Sequence, residues 1–173
     1  MIYLDSSALV KLALAEPETA ALTDYLAKRA DQALVSSSLY RSEVLRAIWR
    51  AEPGALPRAQ RMIRRISLVS LTHDLLDNAA TLPPGGLSTT AAIHLASALA
   101  IKRDLTAFVC YDKRLSDAAE AAGLPVAAPA VRTARRAWST APSSATAGAV
   151  GSGRREGGGR RPCVPGTRTS RAP

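Results

Sequence analysis

Short runs of consecutive apolar residues alternate along this chain with longer stretches in which apolar positions recur every three or four residues. That is the pattern of buried strands followed by amphipathic helices. Ile2, Tyr3 and Leu4 form the first run, which stops at Asp5, and Ser6 and Ser7 then offer cap oxygens to a helix over 8–14. Pro17 precedes a helix over 19–29, with Ala21, Leu22, Tyr25 and Leu26 at helical spacing. A second strand is expected over 32–35, and Ser36, Ser37 and Ser38 cap a helix over 39–51 that Pro53-Gly54 ends. A helix over 57–66, a strand over 68–71 and a helix over 72–82 capped by Thr72 follow. After the break at Pro83-Pro84-Gly85-Gly86, the stretch 89–102 is apolar nearly all round and reads as a central helix. The strand 106–111 runs into Asp112, a helix over 113–122 stops at Gly123, and 124–126 adds a last strand. Strands alternating with helices in this way predict an α/β fold, a mostly parallel sheet with helices on both faces.

Composition adds a second region to this picture. From Ser139 onward the chain is built of Gly, Ser, Thr, Pro, Ala and Arg, with Glu156 its one acid. Such a segment buries too little apolar surface to offset the entropy of ordering it. The expected organisation is therefore a domain over 1–138 and a disordered basic tail over 139–173. The formal net charge of +9 is uneven, about five of it lying beyond Trp138. A basic chain of this kind favours a polyanionic partner. Cys110 and Cys163 stand far apart, with neither a disulfide framework nor a metal spacing, which agrees with a reducing cytosol. Asp5 and Lys11 interrupt the first apolar run, so it does not read as a signal peptide, and no stretch reaches the roughly 18 apolar residues of a membrane span. A cytoplasmic protein with no membrane partner is the expectation.

The candidate chemistry lies in the acids. Asp5 and Asp112 both stand at strand carboxyl ends, where the crevices of open α/β sheets form. Glu43 falls at the edge of the apolar arc of its helix, either in a surface ion pair with Arg46 or as a third acid at that crevice. Clustered carboxylates repel one another unless a cation neutralises them, and Mg²⁺ is a hard ion that takes one or two of them, keeps waters and accepts phosphate oxygens. An acidic crevice in a basic protein suits a metal-dependent nuclease. His94 reads as a buried, hydrogen-bonded histidine, Asp117 as a helix-surface residue, and Ser7 as a residue able to orient Asp5. Arg58, Arg61, Arg64 and Arg65 form either a track for a phosphate backbone or a solvated face. A phosphotransfer enzyme with Asp5 as nucleophile is disfavoured, since haloacid-dehalogenase-type phosphatases carry a second aspartate where this chain has Ser7.

Four segments, MIYLDSSALVKL, SSSLYRSEVLRA, LSTTAAIHLASAL and FVCYDKRLSDAAEAAGLPV, resemble in order and spacing the signature segments of PIN-domain proteins, specifically the VapC-type toxins of bacterial toxin–antitoxin pairs. The resemblance spans about residues 1–126. It implies a PIN-like three-layer α/β/α sandwich and a Mg²⁺-dependent endoribonuclease, with Mn²⁺ as a substitute ion, an RNA substrate, a cognate antitoxin that holds it inactive, and often a homodimer. Asp5, Glu43 and Asp112 match the family's acidic, metal-holding and catalytic positions. The fourth acid is missing: two residues before Ile93, where the family commonly carries aspartate, this chain has Ala91, and neither Thr90 nor Ala92 supplies a carboxylate. The alternative implied is a catalytically impaired PIN module that binds RNA or antitoxin without cleaving.

Overall fold

The computed structural model describes residues 1–130; the tail expected over 139–173 and Cys163 lie outside them. The chain runs β1 (Ile2–Leu4), α1 (Ser6–Ala13), α2 (Thr19–Ala27), β2 (Leu34–Ser37), α3 (Tyr40–Ala51), α4 (Leu56–Ile63), β3 (Ser67–Val69), α5 (His73–Thr81), α6 (Thr89–Ala100), β4 (Ala107–Val109), α7 (Lys113–Ala121) and β5 (Val126–Ala127), with 3₁₀ turns at Pro53–Ala55 and Lys102–Asp104. All five strands are parallel, in the order β3-β2-β1-β4-β5.

The two-residue period of β1 distributes the core. Ile2 and Leu4 point to one face, where α1 to α4 cover them with Leu9, Leu22, Val44, Ile48 and Ile63. Tyr3 points to the other, against Leu95 of α6, Phe108 of β4 and Leu115 of α7. A third cluster joins Leu75 and Ala79 of α5 to Ala92, Ile93 and Ala96 of α6. This is the three-layer α/β/α arrangement expected, and α6 occupies the buried position its composition demanded.

Several boundaries differ from the local reading. The second strand lies at Leu34–Ser37 instead of 32–35, so Ser36 and Ser37 are strand residues and not helix caps. Ser36 Oγ donates to the Leu4 carbonyl at 2.6 Å, and α3 begins after Leu39 without a side-chain cap. Asp5 itself caps α1, which therefore starts at Ser6, two residues before the expected position. Thr72 caps α5 as its spacing indicated, Asp112, expected as the acid that ends the strand, also caps α7, Ser88 caps α6, and Gly123 takes the positive φ of 73° that stops α7.

The strand order places β1 between β2 and β4. The chain leaves β1 toward β2 and β3, then crosses back to β4 on its other side. The edge between β1 and β4 is thus the switch point where parallel α/β sheets open a crevice.

Candidate active site

Asp5 stands at that switch point. Its backbone N–H donates to the Val109 carbonyl at 3.0 Å, extending the β1–β4 ladder by one bond and bringing the side chain out at the carboxyl edge of the sheet. Oδ2 accepts from the Ser7 N–H at 3.0 Å and from Ser7 Oγ at 2.7 Å. Ser7 Oγ in turn accepts from the Tyr111 N–H at 2.9 Å, so one hydroxyl ties the first turn of α1 to the segment leaving β4. Ser7 orients Asp5, as expected, through its hydroxyl as well as its amide. The Cys110 thiol lies 3.7 Å from Oδ2, and burial, followed by the Asp5 charge, pushes it up to about 12, which keeps it a neutral donor.

Glu43 comes to the same crevice from the first turn of α3. Its Oε2 accepts from Ser6 Oγ at 2.5 Å and lies 2.8 Å from His94 Nε2. The other ring nitrogen of His94, Nδ1, is 2.8 Å from Tyr3 Oη and 3.6 Å from Asp5 Oδ1. His94 is buried, as expected, yet its bonds go to the crevice: one ring reaches both acids from α6. Of the two readings of Glu43, the ion pair with Arg46 is not the one formed. Two members of this cluster escaped local reading, Ser6 as a partner of Glu43 and Tyr3 as a partner of His94. The available signal for Tyr3 was a phenol inside a fully apolar strand, whose hydroxyl must find a partner.

Burial raises the Glu43 carboxyl, but the hydrogen bonds from His94 and Ser6 outweigh it and hold the group below its ordinary value of 4.5. A depressed carboxylate stabilises the fold fully above its unfolded value, and the contribution is lost as pH falls below 4.5 through the lowered folded value. Thermal melts between about pH 5 and pH 3 are therefore expected to fall more steeply for the parent than for Glu43→Gln, which has no such proton to take up. Parallel slopes would contradict the assignment.

Asp112 is exposed, and its Oδ1 accepts from the Leu115 N–H at 3.0 Å as the cap of α7. It leads from the strand end adjacent to that of Asp5. Ala91 lies at the third position of α6, one turn before His94, and its N–H bonds Ser88 Oγ at 3.2 Å. Asp117 is on the α7 surface, paired with Lys113 at 2.9 Å. Arg58, Arg61, Arg64 and Arg65 are all exposed on and just after α4.

These donors bear directly on the metal that the resemblance implies. Among the described residues no group of three His, Cys, Asp or Glu side chains is arranged to hold an ion. What the fold brings together is a pair, Asp5 and Glu43, the first accepting from the Ser7 amide, the Ser7 hydroxyl and the Cys110 thiol on Oδ2, the second accepting from Ser6 and facing His94 Nε2 through Oε2. Two hard carboxylates, Asp5 buried and Glu43 half-buried, suit Mg²⁺, which retains several waters and completes its shell from substrate phosphate. They do not make a closed cage, and Asp112 is not drawn into a three-acid cluster with them.

The relationships of the chain agree with this architecture. A family model described as PIN domain matches residues 2–121. Two Mycobacterium tuberculosis proteins named Ribonuclease VapC46 and Ribonuclease VapC47 are 44% and 41% identical to the chain over 128 and 132 residues, about three quarters of this chain and 97% of each relative. The crystal structure of M. tuberculosis VapC20, described as a Sarcin-Ricin loop cleaving toxin, superposes with a TM-score of 0.59 at 16% identity, covering 75% of this chain and all of that one. A VapBC2 structure from Rickettsia felis, bound to a DNA fragment from their promoter, superposes at 0.56 and 13% identity. With its parallel sheet, its crevice at the β1–β4 edge and its near full-length VapC relatives, this chain belongs to the PIN-domain family.

Proposed function

We propose that this protein is the ribonuclease toxin of a toxin–antitoxin pair, a Mg²⁺-dependent endoribonuclease held inactive by a cognate antitoxin. The observation that carries the reading is the convergence of Asp5 and Glu43, from segments 38 positions apart, on one crevice at the carboxyl edge of the sheet. Relatives named as ribonucleases that align over nearly their whole length support it. Asp5 and Glu43 would hold Mg²⁺, or Mn²⁺ in its place, with Asp112 entering through water from the adjoining strand end. Bound there, the ion supplies a water of lowered pKa and offsets charge at the phosphodiester. The chain's own residues hold the geometry: Ser7 fixes Asp5, Ser6 and His94 fix Glu43, and the exposed arginines of α4 offer positive charge to an RNA backbone. The VapBC2 structure from Rickettsia felis, bound to a DNA fragment from their promoter, supports an antitoxin as partner. A homodimer is part of the proposal.

A second reading has one observation in its favour. With Ala91 in place of an acid, the crevice brings two carboxylates together instead of a larger set, which suits a module that binds RNA or antitoxin without cutting. Cleavage of a mixed RNA substrate with Mg²⁺, with Mn²⁺ and with EDTA separates the two. The enzyme reading expects cleavage with either ion and none with EDTA, and the binding reading expects RNA retention in a shift assay with no cleavage under any condition.

A further inference from the structure

His94 is the one imidazole in the buried run Ala92–Ala98 of α6, and it is 1% exposed. Burying a ring with two polar atoms is costly unless both are bonded. Both are bonded here, and the partners differ in kind. Tyr3 Oη, 2.8 Å from Nδ1, itself accepts the Ser37 N–H at 3.0 Å, so one of its lone pairs is engaged by the backbone of β2 while its own proton is free to be given to Nδ1. Tyr3 is completely buried, stacked on Phe108 with ring centroids 5.2 Å apart, and burial raises its phenol far above its ordinary value, so that proton is always present. On the other side, Nε2 faces the Glu43 carboxylate oxygen at 2.8 Å and Ser6 Oγ at 3.0 Å. A ring nitrogen without hydrogen would set a lone pair against an anion at that distance. In the neutral ring, only the Nε2–H tautomer satisfies both ends.

We propose that His94 is the positioning residue of this crevice: held as its Nε2–H tautomer by Tyr3 and the Ser37 amide, it donates to Glu43 and keeps that carboxylate beside Asp5. Tyr3 selects the tautomer, the tautomer selects the orientation of Glu43, and Ser6 locks the same oxygen from α1. Without the Tyr3 hydroxyl, Nδ1 loses its donor and Asp5 Oδ1 at 3.6 Å is the nearest anion on that side, so the Nδ1–H tautomer gains population and the hold on Glu43 loosens. The kinetic part of this inference rests on the ribonuclease reading; the tautomer part does not.

The test joins a spectroscopic measurement to a kinetic one on the full chain. Long-range ¹H–¹⁵N correlation spectra at about pH 8 are expected to show the His94 proton on Nε2 in the parent and shared between Nε2 and Nδ1 in Tyr3→Phe. Kinetically, His94→Leu fills the space without a donor and is expected to lower kcat about tenfold to a hundredfold with KM within about twofold. His94→Gln, whose terminal amide reaches where Nε2–H does, is expected to recover most of that loss. A proton on Nδ1 in the parent, an unchanged tautomer in Tyr3→Phe, or a His94→Gln as slow as His94→Leu with both folded by near-ultraviolet circular dichroism overturns the proposal. If the parent cleaves no RNA with any ion, the ribonuclease reading fails on its own, and the two tautomer measurements alone decide the role of His94.

Discussion

Replacing Asp5 with asparagine is expected to leave the protein folded and to lower RNA cleavage by about 10²–10³-fold. The substitution separates two roles that one side chain fills. As the cap of α1, Asp5 accepts from the Ser7 amide and hydroxyl through one oxygen, and asparagine caps as well as aspartate with a carbonyl oxygen of the same reach. As a charge at the carboxyl edge of β1, asparagine does nothing: it neither attracts a divalent ion nor stays anionic beside His94. Circular dichroism and a melting temperature within a few degrees of the parent would show the capping role kept, and kcat on a cleaved RNA would show the charge lost. Alanine is a poorer test, because it removes the cap and leaves the Ser7 hydroxyl without its acceptor. An Asp5→Asn protein with parental activity would place the chemistry elsewhere.

Asp5 and Asp112 were legible in the sequence because their positions follow from local rules. An apolar run ended by an acid with a helix behind it is a strand end, and the parallel topology puts such ends on one edge, although the expected caps of α1 were Ser6 and Ser7 and the cap formed is Asp5. Thr72 was legible for the same reason. Ser36 and Ser37 misled because a serine triplet before a helix looks like capping, whereas in the fold Ser36 bonds a carbonyl of the neighbouring strand and the Ser37 amide bonds a phenol. Those partners are 32 and 34 positions away, beyond the reach of any local pattern. Glu43 and His94 show the same limit more sharply. On a helical wheel Glu43 is an ion-pair candidate and His94 a core residue, and only the packing of α3 and α6 on either side of β1 turns the two into neighbours 2.8 Å apart. The acids could be found singly; the histidine between them could not.

Ala91→Asp is expected to raise cleavage about tenfold to a hundredfold and to lower the Mg²⁺ concentration giving half the maximal rate. The position is prepared for the change. Ala91 is the third residue of α6, after the Ser88 cap and two threonines, where an acid meets the positive end of the helix and adds about 0.3–1 kcal/mol. It sits one turn before His94 on the same helix, so a carboxylate there would join Asp5 and Glu43 at the crevice to which His94 already reaches. The opposing effect is repulsion among three anions, which an ion relieves. Without added metal, Ala91→Asp is therefore expected to melt no higher than the parent, and with Mg²⁺ to gain more in melting temperature than the parent does. A variant that binds Mg²⁺ more tightly yet cleaves no faster would show that binding of the ion does not limit this protein. A variant unchanged in both would show that Asp5 and Glu43, held together by His94, already supply all the negative charge the crevice uses.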